Sequence, residues 1–140
     1  MKEVTIYTDG ACLKNPGNGG WCGILIYNEK QKIISGSESN TTNNRMELRA
    51  VIESLSTLKE KCKVKLYSDS KYVVDAINKK WLENWEKNNF KKRLNTDLWK
   101  KFLPLLEKHT VKFIWTKGHS GNKLNDMCDK IAVQEAKKIL

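Results

Sequence analysis

The chain of 140 residues contains only two prolines and no long apolar segment. Its four cysteines lie far apart and form no C-x-x-C pair, which argues against a disulfide framework and against a structural zinc site. We therefore expect them to be buried thiols. No apolar run reaches the length of a membrane span, and the N-terminus has no signal-peptide pattern. These absences predict a soluble cytoplasmic protein that does not span a membrane.

Acidic residues are outnumbered by basic ones. The chain has 16 Asp and Glu and 26 Lys and Arg, which give a formal net charge of +10. Such an excess favours a polyanionic partner, either a nucleic acid or a membrane surface, and the charge alone does not choose between them. Hydrophobic residues make up 39% of the chain, which is enough for a packed core. The length predicts one domain over residues 1–140.

Strand and helix patterns alternate along the chain and predict an α/β fold. Alternating apolar residues predict a first strand that ends at Asp9, and clustered Gly, Asn and Pro predict a loop over residues 10–20. The later predicted elements are strands over 21–27 and 32–37, a helix over 43–58, a strand over 63–68, short helical pieces, a strand over 111–115 and a final helix. The final helix is expected to bury a face formed by Leu124, Met127, Cys128, Ile131, Ala132 and Ile139. Together these elements predict a five-stranded mixed sheet flanked by helices.

Four acidic residues occupy positions that favour a shared site. Asp9 ends the first strand and Asp69 follows the fourth, and a helical crossover makes these strands parallel if they are neighbours. Both side chains would then lie about 5 Å apart at one edge of the sheet, where α/β proteins usually bind ligands. Glu47 and Asp129 are predicted on helices at the rim of the core. Clustered carboxylates repel one another unless cations neutralise them, and Mg²⁺ or Mn²⁺ prefers such hard oxygen ligands.

Each acid also has an ordinary structural interpretation. Asp9 and Gly10 form a common turn dipeptide. Glu47 suits a helix-capping pair, Asp69 suits a helix cap, and Asp129 suits a solvated helix face. Their convergence on one edge of the sheet, in a strongly basic chain, favours the interpretation as a site.

A basic segment interleaved with aromatic residues covers residues 79–101, which contain eight Lys or Arg against three acids. Cations can follow phosphates while aromatic rings pack on sugars or bases, so the segment suits a nucleic-acid strand. The aromatic residues are Trp81, Trp85 and Phe90, and the basic cluster that follows them is Lys91, Lys92 and Arg93. The alternative is that Trp81 and Trp85, at positions i and i+4, simply pack a short helix whose lysines are solvated.

Five sequence motifs follow one another along the chain. They are Thr8-Asp9-Gly10-Ala11-Cys12 with Asn15-Pro16-Gly17, then Thr41-Thr42-Asn43-Asn44-Arg45-Met46-Glu47-Leu48, then Ser68-Asp69-Ser70-Lys71-Tyr72-Val73, then Lys117-Gly118-His119-Ser120-Gly121, and finally Asp129. In this order they closely resemble the type 1 ribonuclease H family over the whole chain. The resemblance implies that family's fold, a five-stranded mixed sheet with helices on both faces. It also implies endonucleolytic cleavage of the RNA strand of an RNA–DNA hybrid.

The resemblance further implies roles for individual residues. The residues that match metal-binding carboxylates are Asp9, Glu47, Asp69 and Asp129, which would hold two Mg²⁺ ions, with Mn²⁺ as a substitute. His119 matches a histidine that assists proton transfer or product departure. The residues that match contacts to the minor groove of the hybrid are Cys12, Asn15, Asn43 and Asn44, with Thr42 beside them where a DNA phosphate is held. The residues of the basic protrusion, defined as residues 81–93, that would bind the DNA strand are Trp81, Trp85, Lys91, Lys92 and Arg93.

Two features depart from the family pattern. Lys71 stands where many relatives have Gln and would add a phosphate contact. The basic protrusion has a short connection from Phe90 to the Asn95–Trp99 segment, and Glu83 and Glu86 dilute its charge. We expect a monomer whose products carry 5′-phosphate and 3′-hydroxyl ends. Two alternatives are a related nuclease with a different nucleic-acid substrate and a non-catalytic nucleic-acid-binding module. A panel of nucleic-acid substrates distinguishes the related nuclease from a ribonuclease H. The presence of all four acids and of His119 argues against a non-catalytic module.

Overall fold

The computed structural model describes residues 1–118 and 122–139 of the chain. Within these ranges, five strands and five helices follow one another in an α/β arrangement. The strands are β1 (Lys2–Cys12), β2 (Gly17–Tyr27), β3 (Lys30–Thr41), β4 (Cys62–Ser68) and β5 (Thr110–Trp115). The helices are α1 (Asn43–Thr57), α2 (Lys71–Asn78), α3 (Trp81–Lys87), α4 (Thr96–Lys108) and α5 (Lys123–Lys137).

The strands form one mixed sheet in the order β3-β2-β1-β4-β5. β1, β2 and β3 pair antiparallel, as expected for strands joined by short turns. β1 pairs parallel with β4, and β4 pairs parallel with β5. Since α1 lies between β3 and β4 in the chain, it forms the helical crossover that brings β4 back parallel to β1. The predicted five-stranded mixed sheet, with its parallel first and fourth strands, is confirmed.

Helices cover both faces of this sheet. The side chains of β1 alternate, so that Ile6 joins a large core with α1 and α4 while Tyr7 packs against a small core with α5. Fully buried residues of the large core include Leu48, Leu55, Leu66, Trp99 and Phe102. The buried residues of the small core are Cys22, Ile24, Cys128 and Ala132. β1 therefore lies between α1 on one face of the sheet and α5 on the other.

The loop predicted over residues 10–20 is wrong, because β1 continues to Cys12 and β2 already begins at Gly17. The glycines in this stretch allow close packing instead of forming a long turn. A Cβ atom on Gly10 would overlap the backbone of α1, and a Cβ atom on Gly20 would overlap the backbone of α5. Tertiary packing thus outweighs the local turn preference of these residues.

The face that α5 buries also differs from the prediction. Its buried residues are Asn125, Cys128, Ala132 and Ala136. Met127 is exposed, and Ile139 follows the end of the helix at Lys137, so these two predicted core positions are wrong. Small residues line the buried face because α5 lies directly against the backbone of β2 at Gly20.

All four cysteines are free thiols, as predicted. Three of them are buried as predicted, whereas Cys12 is partly exposed at the end of β1, so the prediction of a buried thiol is wrong for Cys12. No helix in the described part of the chain combines the length and the apolar character needed to cross a membrane.

Candidate active site

The first two acids come together where β1 and β4 stop pairing. The parallel ladder between these strands ends at Tyr7 and Tyr67, and β1 continues alongside β2 alone. Asp9 therefore lies just beyond the end of the ladder, with only 2% of its surface exposed, and Asp69 directly follows β4. This is the neighbouring placement that the crossover rule predicted for them.

Glu47 reaches the same place from α1. The helix begins after Thr42, whose hydroxyl accepts a hydrogen bond from the backbone N–H of Arg45. Because Gly10 has no side chain, α1 lies against β1, and the Gly10 N–H donates to Glu47 Oε1 at 3.1 Å. The same N–H also lies 2.9 Å from Asp9 Oδ1. One carboxylate oxygen from each of Asp9, Glu47 and Asp69 lies within 4.8 Å of the other two.

Asp129 completes the acidic side of one cleft. It projects from α5 and lines an open cleft of about 450 Å³ together with the three closer carboxylates. The other lining residues are Gly10, Ala11, Cys12, Asn43, Asn44, Ser70, Lys71 and Tyr72. The structure thus brings all four sequence-predicted acids to one site, with Asp129 outside the tight trio.

Burial and mutual repulsion disfavour the charged forms of the two deepest acids. Burial, together with the smaller effect of the Asp69 and Asp129 carboxylates, raises the pKa of Asp9 to about 8. Burial, followed by the charge of Asp9, raises the pKa of Glu47 well above its usual range. Asp9 Oδ2 and Glu47 Oε2 are buried, and no donor among the described residues bonds to them. Such orphaned, hard oxygen atoms fit a divalent cation.

The structural alternatives for Asp9, Glu47 and Asp69 do not describe this site. Asp9 is part of a continuous strand and does not form a turn. Helix α1 is capped by Thr42, and α2 is capped by Ser70, whose hydroxyl accepts from the Val73 N–H at 3.2 Å. Neither Glu47 nor Asp69 therefore serves as the capping side chain.

Most of the predicted groove-contacting residues border the cleft. Cys12, Asn43, Asn44 and Lys71 line it directly. Asn15 is tied to this group, because its side-chain oxygen accepts a hydrogen bond from the Asn43 N–H at 3.2 Å. The structure therefore places a row of amides beside the carboxylates.

Comparison with known proteins decides the family. The sequence profile of the RNase H family matches residues 1–137. A ribonuclease H from Caldicellulosiruptor saccharolyticus is 58% identical over 137 residues, which cover 94% of each chain. One from Campylobacter concisus is 52% identical over 139 residues, which cover 99% of this chain and 96% of its own. This chain belongs to the RNase H family.

Solved structures of the RNase H fold agree with this result. LC9-RNase H1, a type 1 RNase H with the type 2 active-site motif, has a TM-score of 0.89 at 28% identity, over 98% of this chain and 73% of its own. LC11-RNase H1, solved in complex with an RNA/DNA hybrid, has a TM-score of 0.71 at 20% identity, over 96% of this chain and 97% of its own. The predicted ribonuclease H-like fold is confirmed.

The basic protrusion forms a second, separate groove. This groove of about 300 Å³ is lined by Trp85, Asn88, Lys91, Lys92 and Arg93. The Arg93 guanidinium lies 5.1 Å from the centre of the Trp85 ring, so cation and aromatic residue are combined there as the sequence suggested.

The aromatic residues of the protrusion also have packing roles. The Trp85 ring lies 5.5 Å from that of the buried Trp99, whereas Trp81 remains 40% exposed. Trp81 and Trp85 share the short helix α3, with ring centres 6.5 Å apart, as the alternative interpretation expected. Phe90 is only 7% exposed and belongs to the large core, so its predicted place among the nucleic-acid-facing aromatic residues is wrong.

Sequence reasoning missed two residues that shape the cleft. Tyr72 lines it, and its hydroxyl accepts from Trp99 Nε1 at 2.9 Å. Trp115 donates from Nε1 to the backbone oxygen of Asp69 at 3.1 Å. The position of Tyr72 inside the third motif was an available signal, whereas the role of Trp115 depends on the pairing of β4 with β5. His119 lies outside the described residues.

Proposed function

We propose that this chain hydrolyses the RNA strand of RNA–DNA hybrids and leaves 5′-phosphate and 3′-hydroxyl ends. As a member of the RNase H family, it is an endoribonuclease. The observation that carries the proposal is the trio of carboxylate oxygens from Asp9, Glu47 and Asp69, all within 4.8 Å of one another at the edge of the sheet. A phosphodiester can approach these oxygens because the cleft is open.

The four acids would hold two Mg²⁺ ions, with Mn²⁺ as a substitute. The orphaned oxygens of Asp9 and Glu47 support this assignment, because hard divalent cations take oxygen ligands. When bound, a pair of such ions activates the attacking water and stabilises the departing 3′-oxygen. The carboxylates themselves set the positions of the ions and need not attack the phosphorus.

Selectivity for RNA would come from the amide side chains beside the acids. The 2′-hydroxyl both donates and accepts hydrogen bonds, and amides can satisfy both requirements. Asn15, Asn43 and Asn44 are grouped by their position on the cleft and by the bond from the Asn43 N–H to Asn15. Cys12 is placed with them, and Thr42 would hold a DNA phosphate next to this group.

The basic protrusion would bind the DNA strand through Lys91, Lys92 and Arg93, while Trp81 and Trp85 pack on its sugars. His119 would move a proton or assist product departure. We further propose that the chain acts as a single domain over residues 1–140, as a monomer and in the cytoplasm.

A substrate panel tests the proposal. Labelled RNA–DNA hybrid, double-stranded RNA, double-stranded DNA and single-stranded RNA of one sequence are incubated with the protein and Mg²⁺. We expect cleavage of the RNA strand in the hybrid alone, with 3′-hydroxyl ends on the products. Preferred cleavage of another nucleic acid would favour the related-nuclease alternative, and binding without cleavage of any substrate would favour the non-catalytic one.

A further inference from the structure

Trp115 is the last residue of β5, and 43% of its surface is exposed. Its indole ring nevertheless makes a hydrogen bond through its edge and a cation–π contact through its face. Its Nε1–H donates to the backbone oxygen of Asp69 at 3.1 Å. The ammonium group of Lys71 lies 4.8 Å from the centre of its ring. An exposed tryptophan contributes less to core stability than a buried one. Packing of the core therefore does not explain why Trp115 makes these two contacts.

The Asp69 contact belongs to a clamp between two strand ends. Trp115 pairs with Ser68 in the register of β4 and β5, and the next N–H, that of Thr116, donates to the Ser68 oxygen at 2.9 Å. The indole N–H extends this ladder by one bond, to Asp69 itself. The backbone that carries the Asp69 carboxylate is thereby fixed from the side opposite to β1.

The Lys71 contact places a cation at the cleft. Lys71 is the first residue of α2, where the helix dipole disfavours positive charge, so helix stability does not explain a lysine there. Among residues 1–118 and 122–139, no carboxylate forms an ion pair with its ammonium group. Since a lysine side chain is long and flexible, the ring of Trp115 limits where the ammonium group can lie.

We propose that Trp115 is a positioning residue, which holds the Lys71 ammonium over the cleft so that it binds a phosphate of the nucleic acid next to the cleavage point. This inference rests on the proposed function. The two residues act as one unit, because the ring orients the cation and the indole N–H ties that ring to the strand end that carries Asp69. Lys71 supplies the phosphate contact, and Trp115 itself does not touch the substrate.

The test measures hybrid binding by fluorescence anisotropy in EDTA at several salt concentrations, so that cleavage does not interfere. Lys71→Gln should weaken binding about tenfold, the size expected for one charge-assisted contact. It should also reduce the slope of log affinity against log salt by about 0.9, the value for one lost phosphate contact. Trp115→Leu should weaken binding about threefold through the lost cation–π contact.

Coupling between the two residues distinguishes positioning from a structural effect. The double variant Lys71→Gln with Trp115→Leu should bind no more weakly than Lys71→Gln alone, since the ring acts only through the cation. Trp115→Phe keeps a ring under Lys71 but loses the N–H bond to Asp69, so its affinity should lie between those of the parent and Trp115→Leu. It also covers the case in which Trp115→Leu fails to fold.

A matched pair at the far end of β1 provides the control. The Lys2 ammonium lies 5.2 Å from the centre of the Tyr27 ring, so Lys2→Gln removes the same charge and the same type of contact. This control should leave the salt slope at the parent value. An unchanged slope in Lys71→Gln, or additive losses in the double variant, would overturn the inference. A parent protein that cleaves no hybrid would instead overturn the proposed function.

Discussion

The carboxylate cleft and the basic protrusion were both predicted to bind nucleic acid, yet they are built in different ways. The acids of the cleft come from β1, α1, the end of β4 and α5, which are far apart in the sequence. The protrusion is one continuous stretch with a helix of seven residues. Four non-glycine residues in or directly before it, Lys80, Asn89, Phe90 and Lys92, have positive φ angles, which cost backbone energy.

This difference shows which function depends on the whole fold. The cleft acids are held by strand pairing and by the close approach of α1 at Gly10, so their geometry requires the complete sheet. The charges of the protrusion are exposed and need only a local scaffold, which Trp85 and Phe90 anchor to the core. Changes to the cleft acids should therefore affect chemistry, and changes to the charges of the protrusion should affect binding.

The largest effect is expected from Asp69→Asn. This substitution removes the negative charge of one of the three clustered carboxylates that would bind the metal ions. Because metal-ion catalysis supplies several kcal/mol, cleavage of the hybrid should fall by at least about 10³-fold. Hybrid affinity in EDTA should stay near the parent value. Single-turnover cleavage and anisotropy measure the two quantities.

Asp75→Asn is the matched control, since Asp75 lies on α2 and pairs with Lys79 outside the cleft. It should cleave like the parent. If Asp69→Asn retained the activity of this control, the acidic cleft would not be the catalytic site.

The second prediction concerns His119→Ala. A general acid–base group contributes on the order of 10²-fold or more, and water can replace it in part, so turnover should slow without being abolished. Calorimetric titration with Mn²⁺ should give the affinity of the parent. A complete loss of metal binding would make His119 a ligand, contrary to its proposed role.

Replacing Lys91, Lys92 and Arg93 together with Ala tests the protrusion. Loss of these phosphate contacts should reduce the slope of log affinity against log salt by about two to three, while kcat at saturating hybrid stays near the parent value. The control replaces Lys30, Lys32 and Lys59 with Ala. This change removes the same amount of positive charge from a separate pocket near the start of β1. Equal slopes in both triple variants would mean that the protrusion is only a solvated helix face.

The smallest effect concerns stability without metal. In the folded state, Asp9 and Glu47 retain protons that the unfolded chain releases near pH 4, because their pKa values are raised. The folded state then binds more protons, so stability in EDTA should fall as the pH rises from about 4 to about 8. Since the charge of Asp69 raises both pKa values, Asp69→Asn should increase the Tm at pH 8 by roughly 5 °C and by less at pH 5.

Thermal melts of parent and variant in EDTA measure this gain. The comparison between the two proteins cancels the contribution of His109, whose burial lowers its pKa and favours stability at higher pH. A variant that melts well below the parent at pH 8 would assign Asp69 a structural role.

Topology could be predicted further from the sequence than packing could. The crossover rule and hydrophobic periodicity place Asp9 beside Asp69 without any tertiary information, and both lie at the cleft. Gly10 and Gly20 were misinterpreted, because local preference describes a turn while the helices that pass over these residues are distant in sequence. The predicted burial of Met127 is wrong for the same reason, since α5 packs mainly small residues against the sheet.

Within the site, the charged residues and motifs could be recognised in the sequence, but the contacts that support them could not be predicted from it. Lys71 could be singled out from its motif, but the ring beneath it comes from β5, and only the parallel pairing of β4 and β5 brings Trp115 there. Phe90 and the exposed Trp81 each lie next to two consecutive lysines in the sequence, yet Phe90 is buried in the core. Spacing alone does not distinguish these two aromatic environments.

If the clustered carboxylates act by holding divalent cations, cleavage must depend on added metal, and a metal titration tests this dependence. The protein is stripped with EDTA, and cleavage of a labelled RNA–DNA hybrid is followed while Mg²⁺ is added, in parallel for the parent, Asp69→Asn and Asp75→Asn. We expect no cleavage before Mg²⁺ is added, full recovery of cleavage in the parent and in Asp75→Asn, and no recovery in Asp69→Asn. Cleavage by the stripped parent, or equal recovery in Asp69→Asn, would contradict this role of the carboxylates.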